Sequence, residues 1–339
     1  MANTVNRKGI LSGGNFIVDT VKMIDAWPQQ DTLCSILSHS RCNGGGPYNI
    51  LKNLAKLAPD LPLEACGLLG DDPESTWVLD DCKQAGICTS QLNSRAGPST
   101  SVTDAMTDVS TGRRTFFHAR GANAELSVED FDFRNTSAKI FSLGYLMLLD
   151  QLDQLDEDGN TGASTVLKNA RAEGLITAVD VVSTAHPQFR EISIAALKKA
   201  DIFFINELEA GWILGYEISE SNIRTAIREL AQLGSIGTVV LHMPQLAVAY
   251  TISSDTLTTQ ASVNFPAEKI VGATGAGDAF ATGFLYATHE GLSVQKSLES
   301  AVCVAAMSLT HATPSDGILS LSECLALGKR YGYRQAEKF

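Results

Sequence analysis

Short apolar segments alternate with amphipathic segments along most of the chain. Strands are predicted where apolar runs of five to eight residues stand between turn residues, at 63–69, 139–143, 175–182, 201–205 and 238–242. Helices are predicted where apolar residues recur at helical spacing, at about 73–85, 163–173, 193–199 and 223–233. This rhythm predicts an α/β fold with a mostly parallel central sheet and helices on both faces.

The first 60 residues follow a different pattern. Three strand-like segments come in succession, at 8–12, 16–21 and 33–39, with no helical pattern between them. A helix is predicted next, because Pro47 suits a first helical turn and Pro59 stops the pattern. Its apolar face is formed by Ile50, Leu51, Leu54 and Leu57.

A second break occurs between residues 99 and 119. The segments 102–109 and 114–119 flank a Ser-Thr-Gly turn at 110–112, which predicts a β-hairpin. We find no linker, repeat or low-complexity segment that divides the chain. Residues 1–339 are therefore interpreted as one domain.

A glycine-rich segment carries the most specific chemistry. Residues 272–278 read Gly-Ala-Thr-Gly-Ala-Gly-Asp and fit the first six positions of a P-loop, but Asp278 and Ala279 replace its Lys and Ser or Thr. An Asp cannot clamp a phosphate, but it can accept a proton from a hydroxyl. The backbone N–H groups of residues 274–277 are expected to be free and to stabilise the oxygens of a transferring phosphoryl group.

Asp278 is predicted to lie in the first turn of a helix. Apolar residues recur at helical spacing over 279–287, and Gly291 is a stop signal. Asp is also a common N-cap, which is the structural alternative for this residue. We favour a catalytic role, because the small residues before Asp278 let the backbone approach a ligand closely.

Gly275-Ala276-Gly277-Asp278 resembles the C-terminal signature of the ribokinase-like (PfkB) carbohydrate kinases. Other motifs occur in that family's order: Asp19 after a strand, Gly44-Gly45 followed by Asn49, and Asn206-x-x-Glu209 after a buried strand. The resemblance runs nearly end to end. It implies a three-layer ribokinase-like fold with a small β-sheet lid, formed here by about 15–42 and 98–121, which can also support a homodimer.

The resemblance implies an ATP-dependent sugar kinase. Such an enzyme transfers the γ-phosphoryl group of MgATP to a hydroxyl of a small carbohydrate, here expected to be a primary CH2OH. Asp278 is then the base, in a catalytic turn with Gly275, Ala276 and Gly277. The nucleotide phosphates are expected at Thr274, Gly275 and Gly277.

The resemblance also implies the remaining site residues. Substrate hydroxyls are expected at Asp19, Gly44, Gly45, Asn49 and Asn123, with Arg120 as a further candidate. A plain turn is the alternative for the two glycines, and a turn Asn and a solvated Arg explain Asn123 and Arg120 equally well. Asn206 and Glu209 are expected to hold magnesium through water, and a helix cap is the alternative for Asn206.

Two departures from the family pattern affect the cofactors. The signature ordinarily begins Asp-Thr, and that Asp helps to bind a monovalent cation in relatives, whereas this chain has Gly272-Ala273. Potassium activation is therefore doubtful. The turn after the strand at 238–242 carries Met243 and Pro244 where relatives have glycine, so the nucleotide is expected to bind differently or more weakly there.

Other functions on this sequence are a nucleoside kinase and a non-catalytic sugar- or nucleotide-binding protein. A dinucleotide dehydrogenase is disfavoured, because Gly13-Gly14 does not fit the G-x-G-x-x-G fingerprint. The net charge of -12 argues against a nucleic-acid partner. Seven Cys without a C-x-x-C pair, no apolar run of membrane-spanning length and no apolar N-terminal segment predict a cytoplasmic protein without a membrane partner.

Overall fold

The computed structural model describes residues 7–111 and 113–335. The strands in chain order are β1 (Ile10–Gly14), β2 (Ile17–Ile24), β3 (Ile36–Gly44), β4 (Leu63–Gly70), β5 (Cys88–Arg95), β6 (Ser101–Asp108), β7 (Arg114–Ala119), β8 (Ile140–Leu146), β9 (Ile176–Val181), β10 (Ile202–Asn206), β11 (Thr238–His242), β12 (Leu246–Thr251) and β13 (Thr256–Ala261). The α-helices are α1 (Gly46–Leu57), α2 (Pro73–Gln84), α3 (Gly162–Ala172), α4 (Phe189–Leu197), α5 (Glu207–Leu214), α6 (Ile223–Gln232), α7 (Ala276–His289), α8 (Val294–Ser308) and α9 (Leu321–Tyr331).

The central sheet has nine strands in the order β13-β12-β11-β10-β9-β8-β1-β4-β5. The pairs from β11 to β5 are parallel, whereas β12 and β13 form an antiparallel extension beyond β11. The predicted mostly parallel sheet is therefore confirmed. Because parallel strands end at the same edge, the carboxyl ends of β1, β8, β9, β10 and β11 lie side by side.

Helices cover both faces of this sheet and enclose two hydrophobic cores. One core joins the sheet to α3, α4, α5 and α6, and the other joins it to α1, α2, α7, α8 and α9. The predicted apolar face of α1 is buried in the second core. The three-layer prediction is confirmed, although α4 begins four residues before the predicted 193–199. The helices α8 and α9 and the strands β5, β12 and β13 were not predicted.

The lid is a separate four-stranded sheet in the order β3-β2-β6-β7. Strand β2 pairs antiparallel with β3 and parallel with β6, and β6 forms the predicted hairpin with β7. These strands cover 17–44 and 101–119, close to the predicted bounds, but β3 starts and ends later than the predicted 33–39. Asp19 lies in a cross-strand row between Cys42 and Thr103.

In the described ranges, no helix combines the length and the apolar character that a membrane crossing requires.

Candidate active site

Asp278 lies in the first turn of α7, as the sequence predicts. Gly275 precedes the helix in a left-handed conformation with φ 75°, and a Cβ there would stand 2.6 Å from the Pro314 Cβ. A larger residue would thus meet both backbone strain and a collision at this turn. The Ala279 N–H donates to the Gly275 carbonyl at 2.8 Å, which closes the first turn of the helix.

The carboxylate of Asp278 is buried and held by two donors. The Asn49 Nδ2 donates to Oδ2 at 2.7 Å, and the Tyr145 hydroxyl lies 2.6 Å from both carboxylate oxygens. The Asn49 amide oxygen in turn accepts from the Asn43 Nδ2 at 2.6 Å, and Asn43 also donates to the Ser315 hydroxyl. This chain of bonds orients the carboxylate before any substrate arrives.

Burial raises the pKa of Asp278 to about 6, against the opposing effect of the Tyr145 and Asn49 hydrogen bonds. The side chain therefore titrates just below neutral pH and is ionised above it, as a general base requires. Asp278 makes no side-chain hydrogen bond to its own helix N-terminus, so the N-cap alternative does not describe it.

Asp19 brings a second carboxyl group to the site from the lid. Burial raises its pKa to about 7, the Thr103 hydrogen bond lowers it, and the charge of Asp278 raises it further. Asp180, at the carboxyl end of β9, also has a pKa well above its usual range, because it is buried near Glu209 and Asp278. The site thus concentrates carboxyl groups that can accept hydroxyl hydrogens.

Gly44 and Gly45 make room for other protein groups. A Cβ on Gly44 would come within 2.3 Å of the Asp19 carboxylate, and a Cβ on Gly45 within 2.4 Å of the Asn15 carbonyl oxygen. A side chain at Gly44 would displace Asp19, and one at Gly45 would displace the backbone of Asn15. This steric reason is independent of a sugar, so contact between the two glycines and a substrate stays a prediction.

Asn123 and Arg120 are engaged with the protein. The buried Asn123 Nδ2 donates to the Phe16 carbonyl at 3.2 Å, while its Oδ1 has no partner in the described residues. Arg120 donates to Asp150 at 2.6 Å and to the Met147 carbonyl at 2.9 Å, so an ion pair holds this side chain, and its contact with substrate stays a prediction. Substrate contact by Asn123 stays a prediction.

Asn206 and Glu209 form a capping box at the start of α5. The Asn206 Oδ1 accepts from the Glu209 N–H at 2.9 Å, and the Glu209 Oε2 accepts from the Asn206 N–H at 3.0 Å. The Ser183 hydroxyl donates to Glu209 Oε1 at 2.7 Å. The helix-cap alternative for Asn206 is therefore realised, and a role in magnesium binding stays a prediction.

A cleft of about 530 Å³ opens beside the glycine-rich turn. Its lining is mainly apolar and comes from α7, α8 and the loops after β11 and β13, including Met243, Val263, Phe265, Ile270, Ala276, Gly277, Phe280, Ala305 and Leu309. The polar residues Asn206, Glu207 and Arg334 also line it. Met243 and Pro244 of the unusual turn line this cleft. His242 packs on Phe280 with ring centroids 4.8 Å apart, and burial lowers its pKa to about 4, so the ring is neutral.

The amides of the turn are not all free, contrary to the sequence prediction. The Ala276 N–H donates to the Ala273 carbonyl at 3.2 Å, because residues 273–276 form a tight turn before the helix. Among the described residues, the N–H groups of Thr274, Gly275 and Gly277 have no protein acceptor. These three amides and the positive end of α7 remain available for an anion.

Residues 15–320 match the family described as pfkB family carbohydrate kinase. The chain belongs to the PfkB family of carbohydrate kinases. It is therefore a phosphotransferase with an alcohol group as acceptor. This membership confirms the family resemblance of the signature at Asp278.

Individual relatives of this PfkB kinase differ in their acceptors. A deoxyribokinase from Salmonella typhi is 25% identical over 303 residues, which are 88% of this chain and 91% of the relative. A 5-dehydro-2-deoxygluconokinase from Clostridium beijerinckii is 28% identical over 276 residues, 78% of this chain and 77% of the relative. The structure of Arabidopsis thaliana ribokinase with ribose and ATP superimposes with a TM-score of 0.77 at 20% identity, covering 95% of this chain and 98% of the other.

Sequence reasoning did not find several residues of the PfkB site. Tyr145, Asp180 and Asn43 contact or surround the base, and Arg114 of the lid reaches Thr274. A usable signal exists for two of them, since Tyr145 and Asp180 are polar residues at the carboxyl ends of buried parallel strands, where α/β proteins place their ligands. Nothing local distinguishes Asn43 or Arg114.

Proposed function

We propose that this kinase transfers the γ-phosphoryl group of MgATP to a primary CH2OH of a small carbohydrate. One observation carries the proposal: a buried carboxylate, Asp278, lies between a polar lid and a turn with free amides. Hydrogen bonds from Asn49 and Tyr145 orient it. That arrangement matches the needs of phosphoryl transfer to an alcohol, a proton acceptor on one side and charge stabilisation on the other.

The transfer proceeds in one displacement. The acceptor hydroxyl oxygen bonds to the γ-phosphorus while the bond from that phosphorus to the oxygen bridging to the β-phosphate breaks, and ADP leaves with that electron pair. The hydroxyl proton passes to Asp278. Charge on the γ-phosphoryl oxygens is met by the amides of Thr274, Gly275 and Gly277 and by the α7 dipole.

The acceptor is proposed to bind on the lid side of Asp278. Asp19 accepts hydroxyl hydrogens there, and Asn49 and Asn43 form the polar chain that ends at the base. The adenine group is proposed to occupy the apolar cleft on the other side. The glycines at 44 and 45 and Asn123 complete the proposed substrate-binding set.

Magnesium is proposed to be held through water by Asn206 and Glu209. Each carboxylate oxygen of Glu209 accepts one protein hydrogen bond, which leaves each a further lone pair for a water molecule. The carboxyl group has a pKa near 7 because of burial. When bound, the ion supplies positive charge that offsets the charge of the nucleotide phosphates.

We also propose that the lid joins two copies of the chain. The lid exposes large apolar side chains, and Trp27 stacks on Phe117 with ring centroids 6.3 Å apart. The exposed set is Trp27, Leu33, Ile36, Leu37, Phe116 and Phe117. A stacked pair of exposed aromatic rings, with further exposed apolar side chains in the same lid, favours an interface. Sedimentation of the full chain tests the proposal.

An acceptor screen tests the proposed activity. ADP release is measured with pentoses, hexoses, keto-sugar acids and nucleosides, with Asp278→Asn as the matched inactive control. We expect one sugar class to be phosphorylated far above the control. A preference for nucleosides would replace the sugar by the nucleoside alternative. ATP binding without turnover on any acceptor would favour a non-catalytic binding protein.

A further inference from the structure

Arg114 carries a positive charge from the lid to the glycine-rich turn. It is the first residue of β7, yet its Nη1 donates to the Thr274 hydroxyl, 160 positions away in the chain. Its Nη2 donates to the Ala312 carbonyl at 3.4 Å. The guanidinium therefore reaches from the lid to two loops of the body, next to the turn whose Thr274, Gly275 and Gly277 amides have no acceptor among the described residues.

The glycine at position 272 leaves room for this side chain. A Cβ on Gly272 would stand 3.3 Å from the Arg114 Nη2 and 3.1 Å from the Ala312 Cα, so a larger residue would crowd the guanidinium. Gly272, which stands where the family has Asp, thus leaves the space that the Arg114 guanidinium occupies.

Arg114 is also the basic side chain that this turn otherwise lacks. Residues 270–280 contain no Lys or Arg, and the preceding Lys269 donates instead to the Tyr331 hydroxyl at 2.8 Å. Two of the five N–H donors of Arg114 have acceptors among the described residues, which leaves donors for an oxyanion. Its charge also acts on Cys42, the neighbour of Asp19 in the lid.

We propose that Arg114 binds the γ-phosphoryl oxygens of ATP from the lid side. This inference rests on the proposed function and adds a residue to it. During transfer Arg114 forms and breaks no covalent bond. It offsets charge on the γ-phosphoryl oxygens while the phosphorus moves from the β,γ-bridging oxygen to the acceptor oxygen. Because the residue belongs to the lid, closure of the lid completes the phosphoryl site.

Nucleotide binding tests this role without any acceptor. Calorimetry compares MgADP with the non-hydrolysable β,γ-imido analogue of ATP on the full chain and on Arg114→Gln, Arg114→Lys and Arg113→Gln. Arg113 is the exposed neighbouring arginine and serves as the matched control. We expect Arg114→Gln to weaken binding of the analogue at least ~tenfold and binding of ADP less than ~twofold, with Arg114→Lys between it and the wild type.

Kinetics provide the second measurement once an acceptor is known. Arg114→Gln is expected to lower kcat by ~10³-fold, the lower end of the range known for arginines that stabilise phosphoryl transfer, with little change in KM for the acceptor. Guanidinium ion added to Arg114→Ala should restore part of the rate.

The possible outcomes separate the two proposals. Equal weakening of ADP and analogue, or no weakening of either, would overturn the role of Arg114 whether or not an acceptor is found. Loss of acceptor affinity alone would show that Arg114 binds the acceptor instead. Thermal unfolding of each variant identifies a variant that is misfolded. If Arg114→Gln is misfolded, the binding of MgADP and of the analogue to Arg114→Lys decides whether Arg114 has this role. Absence of turnover by the wild type, with the analogue effect intact, would count against the proposed function only.

Discussion

The two sides of the α7 N-terminus differ in polarity. On the lid side, buried polar side chains bond to one another around Asp278, from Asn43 through Asn49 to Tyr145. On the cleft side, the lining is mainly apolar, and its polar groups include Asn206, Glu207 and Arg334 as well as backbone amides. One helix start thus separates a polar region, where the acceptor is proposed to bind, from a mainly apolar cleft, where the nucleotide is proposed to bind.

This difference predicts unequal selectivity. A buried polar group left without a partner costs about 1–3 kcal/mol, so an acceptor that lacks one hydroxyl is penalised on the lid side. An apolar cleft discriminates weakly between ligands of similar shape. We therefore expect strict choice among acceptors and greater tolerance among nucleotide bases.

The largest effect on turnover is expected from a change at Asp278, which lies between the two sides. Asp278→Asn should retain both ligands but lower kcat at least ~10²-fold, because it removes the proton acceptor. Steady-state kinetics measure the change, and Asp158→Asn, in an exposed loop, is the control. Near-normal turnover by Asp278→Asn would remove this residue from the mechanism.

On the lid side, Asp19→Ala should weaken acceptor binding at least ~tenfold, because charge-assisted hydrogen bonds of roughly 1.5–3 kcal/mol each are lost. ATP affinity should hardly change. Calorimetry with each ligand separately provides the measurement, and Asp104→Ala removes a half-exposed lid carboxylate as control. Equal loss of both affinities, or of neither, would make Asp19 a structural lid residue.

The raised pKa values of the carboxyl groups on the lid side should appear in the pH dependence of kcat/KM. Asp278 and Asp19 have pKa values raised to about 6 and about 7, so both ionise near neutral pH. Because the base must be ionised, kcat/KM should fall as pH drops through this range, roughly tenfold between pH 7 and pH 5. The apparent values belong to the pair. An acid limb near pH 4 would show that these carboxyl groups are unshifted.

On the cleft side, Ala305→Phe should raise KM for ATP at least ~fivefold, since an added ring fills space that the adenine needs. The KM for the acceptor should stay constant. Ala305→Ser, which adds little volume, is the matched control. If the acceptor KM rose in step with that of ATP, the two sides would not be separate sites.

The smallest effect is expected from potassium. Gly272 has no carboxylate and Ala273 no hydroxyl for a cation, and Arg114 already brings positive charge to this place. Turnover in potassium and in tetramethylammonium at equal ionic strength should differ less than ~twofold. A severalfold increase specific to potassium would contradict this.

Local sequence signals predicted Asp278 and the start of α7, but not the residues that contact Asp278. The glycine turn, Asp278 and α7 were predictable because they adjoin in the chain. Tyr145 contacts Asp278 across 133 positions, and Asn49 across 229. Which distant residues meet is decided by strand order, which hydrophobic periodicity does not specify.

Three strands of the central sheet, β5, β12 and β13, were not predicted, and for the two edge strands the cause is different. Strands β5 and β13 lie at the two edges of the central sheet and carry mostly polar, partly exposed residues. Their stability comes from pairing with an apolar neighbour, so their own sequence lacks the apolar run that marks a buried strand.

The packing of α1 on α7 bears on how the protein is made. Leu51 and Leu54 of α1 belong to the core that α7 completes, but α7 begins only at Ala276. At a synthesis rate of about 5–20 residues per second, a nascent chain would expose this face of α1 for roughly 10–40 s before α7 is synthesised. The N-terminal third of the protein is thus expected to depend on chaperones during synthesis, and to be the part that aggregates when translation stops early.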